Sequence, residues 1–180
     1  MFFDETVTKA RYFAIDIHSG QKYDEHPYIK HLEDVFKVLE RYKVKHQAIL
    51  VASFLHDILE DGAASYQDVK KIFGFEVAEI VYAVTDELGR NRKERHENTY
   101  PKIKESLFAI CLKLADMIAN VEYGQSQNAR SNLLSMYIRE YPNFRSYMFH
   151  ADLEDNAGLK ECVYEMWEHL DDLLEYKKEK

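Results

Sequence analysis

Residues Ala48 to Leu55 are apolar almost all round the helical circle. The run then switches abruptly to His56-Asp57-Ile58-Leu59-Glu60-Asp61, with Gly62 behind it as a stop. A helix without a polar face has to be covered on several sides. It is also far too short to cross a membrane, which takes about 18–20 apolar residues. The segment therefore predicts a fold in which other helices wrap a central one and ionisable side chains gather at its end.

The rest of the chain supplies the wrapping. Val7, Ala10, Tyr12, Phe13, Ala14 and Ile17 recur with helical spacing over Glu5 to His18, and Gly20 closes that helix. A polar loop, Gly20 to Pro27, leads into a helix over Tyr28 to Tyr42, and the central helix is expected over Val44 to Leu59. Ser65 reads as the N-cap of a short helix, Tyr66 to Phe73, which Gly74 ends before another helix over Phe75 to Thr85. A charged segment, Asp86 to Asn98, follows. Helical pattern resumes near Pro101, which suits a first turn, and runs to about Tyr123. Ala129 to Phe149 and Asp152 to Glu179 complete the chain, the former carrying Tyr137 and Tyr141 as expected core residues. No alternating strand or internal repeat stands out, and six Gly and three Pro in 180 residues leave few interruptions. The expectation is an all-α, single-domain bundle over residues 1–180, built around a buried central helix.

Charge narrows the partners. Lys plus Arg number 24 against 32 Asp plus Glu, a formal charge of −8, so the surface as a whole repels phosphate backbones and argues against a general nucleic-acid binder. One dense basic cluster, Arg90, Arg92, Lys93, Arg95 and His96, offers a local clamp for a small anion, or else a solvated loop. The N-terminus lacks a basic stretch ahead of an apolar one, and Cys111 lies in an apolar run as a small core residue, so a cytoplasmic protein is expected.

A His-Asp dipeptide alone is a weak signal. Here it extends the most buried-looking helix, and i, i+4 spacing pairs His56 with Glu60 and Asp57 with Asp61. Three carboxylates so close together call for a cation. His31 beside the apolar stripe of its helix, and Asp116 on an otherwise apolar helix with Lys113 and Asn120 on the same face, are further candidates. Two imidazoles and two carboxylates suit Mn²⁺, Fe²⁺ or Zn²⁺ with water completing the shell.

These residues resemble the HD superfamily of metal-dependent phosphohydrolases, in particular the alarmone hydrolase domain of RelA/SpoT proteins and small alarmone hydrolases. The resemblance runs from Ala10-Arg11-Tyr12-Phe13-Ala14 through Pro27-Tyr28-Ile29-Lys30-His31 and the His56-Asp57…Glu60-Asp61 element. It continues through Phe73-Gly74 and Val84-Thr85-Asp86 to Lys113-Leu114-Ala115-Asp116 with Asn120. It covers about residues 8–125, while the helices over 129–180 match loosely. It implies an HD-type bundle with Mn²⁺ held by His31, His56, Asp57 and Asp116. Glu60 and Asp61 would position and deprotonate water, Asn120 would hold substrate, and the 3′-pyrophosphate of ppGpp or pppGpp would be removed. One element departs from that pattern: the loop Gln21-Lys22-Tyr23-Asp24-Glu25-His26-Pro27 lacks the family's Arg-Lys-Asp, leaving Lys22 to meet a phosphate and Tyr23 to stack on a base. Arg92, Arg95 and Lys113 are the remaining candidate phosphate contacts. The partner expected is a small anionic nucleotide, with homo-oligomer formation left open. Alternatives are a phosphatase acting on another nucleotide or an NADPH-like cofactor, and a nucleotide-sensing module without turnover.

Overall fold

The computed structural model describes residues 4–60, 62, 64–126, 132–149 and 158–176. Within them the chain forms α1 (Glu5–Ile17), β1 (Lys22–Tyr23), β2 (His26–Pro27), α2 (Ile29–Arg41), α3 (Gln47–Leu55), α4 (Tyr66–Phe73), α5 (Phe75–Val84), α6 (Arg92–Lys104), α7 (Leu107–Ser126), α8 (Asn132–Met148) and α9 (Lys160–Leu173). The all-α expectation holds. None of the described helices is long and apolar enough to cross a membrane.

Helix α3 is the covered element its composition demands, packed against α1, α2, α5 and α7. Ala48, Ile49, Val51, Ala52, Phe54 and Leu55 are all buried. At about 1.5–3 kcal/mol for each large apolar side chain, this burial is what holds so short a helix in place. It shares the centre with α7, which touches α2, α3, α5, α6, α8 and α9 and buries Ala109 to Leu112 and Leu114 to Val121. Cys111, Tyr137 and Tyr141 are buried as expected.

Four boundaries differ from the sequence expectation. The central helix ends at Leu55, not Leu59; His56 caps it, and residues 56–60 form turns. Ile58 N–H donates to Leu55 O (3.1 Å) and Gly62 N–H to Leu59 O (3.3 Å), both three-residue bonds, so the α-helical i, i+4 pairing expected beyond Leu55 is not the one formed. Gly62 turns the chain with φ +65°. The loop before α2 contains a two-residue hairpin, with Lys22 opposite Pro27 and Tyr23 opposite His26, too short for any alternation to show. Asp24 makes its turn with φ +56°.

The third difference lies in the charged segment, which is mostly helix. Asn91 caps α6, its Oδ1 accepting the Glu94 N–H at 3.0 Å, and Pro101 sits deep inside that helix instead of opening one. The break falls at Glu105–Ser106, where Ser106 Oγ accepts the Ala109 N–H (3.3 Å) as α7 begins. The last helix, α9, is also shorter than the periodicity suggested. Ser65 caps α4 as expected, in a reciprocal box with Asp68, and Gly74 ends it with φ +95°.

Candidate metal centre

Three elements deliver side chains that could ligate a metal to one point. His31 stands in the first turn of α2, on the face that also buries Leu32 and Val35. His56 caps α3, where its Nδ1–H donates to the Ser53 carbonyl (2.8 Å) and turns Nε2 toward His31, Asp57 and Asp116. Asp116 lies midway along α7 and is buried. His31 Nε2 is 3.4 Å from His56 Nε2, 3.3 Å from Asp116 Oδ1 and 3.8 Å from Asp57 Oδ2. His56 Nε2 is 3.1 Å from Asp57 Oδ2 and 3.8 Å from Asp116 Oδ1. One donor atom each from His31, His56 and Asp116 falls within a 4.8 Å group.

Those separations fit a common ion. Ligands about 2.1 Å from one octahedral cation lie about 3.0 Å apart when adjacent and 4.2 Å when opposite. The donor chemistry agrees, since two imidazoles and two carboxylates match a borderline divalent ion and cancel its charge. Burial disfavours the charged form of His56, yet Asp57 and Asp116 push its pKa up to about 9. Burial likewise opposes ionisation of the two aspartates. Even so, His56 and His31 hold Asp57, and Lys113 with the two imidazoles holds Asp116, below the usual carboxylate range. Without an ion, the two carboxylates are offset by the His56 imidazole and the Lys113 ammonium, positive charge that a bound cation would in part replace.

A ring of polar groups orients these candidate ligands. Tyr28 O–H donates to Asp57 Oδ2 (2.5 Å), Lys113 Nζ to Asp116 Oδ2 (2.9 Å), and Asn120 Nδ2 to Asp116 Oδ1 (2.7 Å) and to its carbonyl (3.0 Å). Asn120 Oδ1 in turn accepts the Tyr23 O–H at 2.8 Å, and the Tyr23 ring stacks on His31 with centroids 4.9 Å apart. The hairpin is thus clamped over the site by Tyr23. Tyr28 is the functional neighbour that pattern reading missed, although its position three residues before His31 places both on one side of the α2 start.

The remaining candidates divide. Glu60 does not stack on His56; its Oε1 accepts the Asp86 N–H (2.7 Å). Although Glu60 is exposed as a residue, its carboxyl end is desolvated, and this burial, reinforced by Asp57, raises its pKa. Asp61 lies outside the described residues. Lys113 is committed to Asp116. Arg92 Nε pairs with Glu140 Oε2 (3.0 Å), and Arg95 Nε lies 3.5 Å from Asp86 Oδ2. His96 sits between Asp86 and Glu140, 3.8 Å from each. Arg92, Lys93, His96, Tyr100 and Glu140 line a cavity of about 560 Å³ between α6 and α8. Lys22 is exposed and, as the strand neighbour of Tyr23, projects to the opposite side of the hairpin.

A helical bundle whose α2, the end of α3 and α7 bring His31, His56 and Asp116 together, with Asp57 beside His56, defines an all-α protein with a candidate metal centre. Residues 10–135 match the family model described as HD domain, and the chain belongs to that family. It is similar to the bifunctional (p)ppGpp synthase/hydrolase SpoT of Escherichia coli K12, 36% identical over 123 residues, which is 64% of this chain and 17% of SpoT. It is also similar to the guanosine-3′,5′-bis(diphosphate) 3′-pyrophosphohydrolase MESH1 of Drosophila melanogaster, 35% identical over 99 residues, covering 54% of this chain and 55% of that protein. The chain thus spans about half the length of that curated relative, and less of the other. Among solved structures, a metazoan orthologue of SpoT described as hydrolysing ppGpp superposes with a TM-score of 0.73 at 24% identity, over 94% of this chain and 98% of the other.

Proposed function

We propose that this protein is a divalent-metal-dependent phosphohydrolase that removes the 3′-pyrophosphate of ppGpp or pppGpp. The observation that carries the proposal is the convergence of His31, His56 and Asp116 donor atoms within 4.8 Å, with Asp57 beside them. These four residues would hold Mn²⁺, or Fe²⁺ or Zn²⁺ in its place. Such a cation, when bound, supplies Lewis acidity toward a phosphoryl oxygen and lowers the pKa of water.

The chain's own groups supply the rest. Glu60 Oε1 is engaged by the Asp86 amide, so Oε2 is the atom that accepts the proton of the attacking water, with Asp61 next to it in sequence helping to position that water. Lys113 keeps Asp116 ionised and adds positive charge where the phosphates arrive. Asn120 fixes both Asp116 and Tyr23, so its part in holding substrate runs through the Tyr23 hydroxyl, while Lys22 lies at the outer edge of the same hairpin. Arg92 and Arg95 meet the anionic substrate by exchanging Glu140 and Asp86 for phosphate oxygens. Arg95→Ala is expected to raise KM more than it lowers kcat; an unchanged KM would make Arg95 a purely structural partner of Asp86.

The Tyr23–Asn120 clamp favours a second substrate, because the hairpin carries no arginine to lie on guanine: a phosphorylated nucleotide or NADPH-like cofactor losing orthophosphate. Incubating Mn²⁺-loaded protein with ppGpp, pppGpp and NADPH and resolving the products separates the two. Pyrophosphate together with GDP or GTP supports the first, orthophosphate from NADPH supports the second, and no product from any of them overturns hydrolysis.

A further inference from the structure

The carboxylate of Glu60 is held by a segment that contributes nothing to the metal cage. Glu60 lies beyond the end of α3, among the turns of residues 56–60, at the end of a long unbranched side chain. Its own backbone therefore leaves the direction of Oε2 open. The Asp86 N–H, donating to Glu60 Oε1 at 2.7 Å, supplies the missing constraint. Asp86 belongs to the connection between α5 and α6, and that connection is strapped along α6. Lys102 Nζ donates to the Thr85 carbonyl (2.7 Å) and pairs with Glu87 Oε1 (2.7 Å). Asn98 Nδ2 donates to the Leu88 carbonyl (2.9 Å), and the Arg90 N–H donates to Glu94 Oε2 (2.8 Å). Asp86 Oδ2 faces Arg95 Nε and His96 Nε2 at 3.5 and 3.8 Å.

Thr99 stands at the centre of these anchors and is buried. Its hydroxyl donates to the Arg95 carbonyl one turn back (2.7 Å) and accepts the Glu87 N–H (2.8 Å), with Asp86 Oδ1 at 3.5 Å. With its one proton committed to the helix, the oxygen meets the strap as an acceptor. That bond falls on the residue next to the amide that holds Glu60. Contact fixes the same segment further along: a Cβ on Gly89 would come 2.6 Å from the Arg95 backbone nitrogen, so the strap lies on α6 with no room for a side chain. We propose that the strap of residues 85–90, anchored on Thr99, positions Glu60: it fixes the Asp86 amide on α6, and that amide aims Glu60 Oε2 at the attacking water. The proposal rests on the reading of Glu60 as the proton acceptor. Thr99 is a positioning residue, acting through the Glu87 and Asp86 backbone and taking no proton from the reaction.

The test compares Thr99→Val, which keeps the shape and removes the acceptor, with Thr99→Ser, which keeps the oxygen, in the full chain loaded with Mn²⁺. A misplacement of 1 Å can cost about 10²-fold in rate. With ppGpp, Thr99→Val is expected to lower kcat about tenfold while KM and Mn²⁺ affinity stay within about twofold of wild type, and Thr99→Ser to restore most of the rate. Deuterium uptake by the peptide spanning residues 85–90, read by mass spectrometry, should be faster in Thr99→Val and unchanged in Thr99→Ser. In a Glu60→Gln background Thr99→Val should cost less than about twofold, because the group it aims is gone. Asn98→Ala, at an exposed position, loosens the same strap and carries both readouts should Thr99→Val fail to fold. An undiminished loss in the Glu60→Gln background, a kcat equal to wild type, a rise in KM in place of the fall in kcat, or equal losses from Thr99→Val and Thr99→Ser would each overturn the positioning role. Glu60→Gln turning over as fast as wild type is a separate failure: it removes the base reading, and the proposal with it, even where the strap loosens.

Discussion

One phenolic hydroxyl fixes the carboxylate next to His56. Tyr28 donates to Asp57 Oδ2, leaving that aspartate one favoured orientation toward the cage. Losing a hydrogen bond to a ligating carboxylate typically weakens metal affinity 10- to 100-fold. Tyr28→Phe should therefore weaken Mn²⁺ binding about tenfold by titration calorimetry; an unaltered affinity would reduce Tyr28 to packing against His18 and His31. Glu60 belongs to the same scale but to a different step. Glu60→Gln should keep the metal and lower turnover about 10²- to 10³-fold, the usual worth of a positioned base. Because burial raises the Glu60 pKa, the proton-accepting form exists above that raised value and is lost as pH falls through it. The acidic limb of the wild-type rate profile should accordingly lie above the ordinary glutamate range and vanish from the residual activity of Glu60→Gln. A limb that stays in place would assign the ionisation elsewhere.

At the scale of elements, the C-terminal pair α8 and α9 is held by a buried clasp. Asp171 of α9 accepts from Arg145 Nε (2.6 Å) and Nη2 (2.9 Å) and from the Tyr141 hydroxyl (2.7 Å), and the Arg145 guanidinium lies 3.9 Å from the Phe149 ring centroid. Removing one partner of such a pair strands a charge in the interior. Asp171→Asn should cost about 3 kcal/mol in urea unfolding; a loss well under 1 kcal/mol would show the clasp to be solvated. Elements also show where local patterning stops being informative. Asn91 with Glu94 is a helix-start signature present in the residues, but the density of charge around it and Pro101 ten residues after Asn91 point, along the chain alone, to a loop followed by a helix. The proline is tolerated because tertiary packing of α6 on α5, α7 and α8 outweighs one absent backbone bond. The hairpin at Lys22–Pro27 is two pairs long, below the length at which a strand leaves any mark on composition.

For the molecule as a whole, two neighbouring carboxylates in a buried cage couple metal occupancy to stability. An ion that binds only the folded chain at 100 times its Kd adds about 2.7 kcal/mol. Mn²⁺ should then raise the thermal midpoint of chelator-treated protein by about 5–10 °C in a domain of this size, read by scanning calorimetry; no shift would mean that the cage does not hold the ion. The central apolar helix, the ligand types and the His…His-Asp…Asp order were legible along the chain, because burial around a single helix and the chemistry of a motif are local properties. The stacking of Tyr23 on His31, its bond to Asn120 97 residues away, and the pairing of Arg92 with Glu140 and of Arg95 with Asp86 were not. Those depend on how α2, α5, α6, α7 and α8 approach one another, and that approach is chosen by the summed packing of side chains that no stretch of a dozen residues contains.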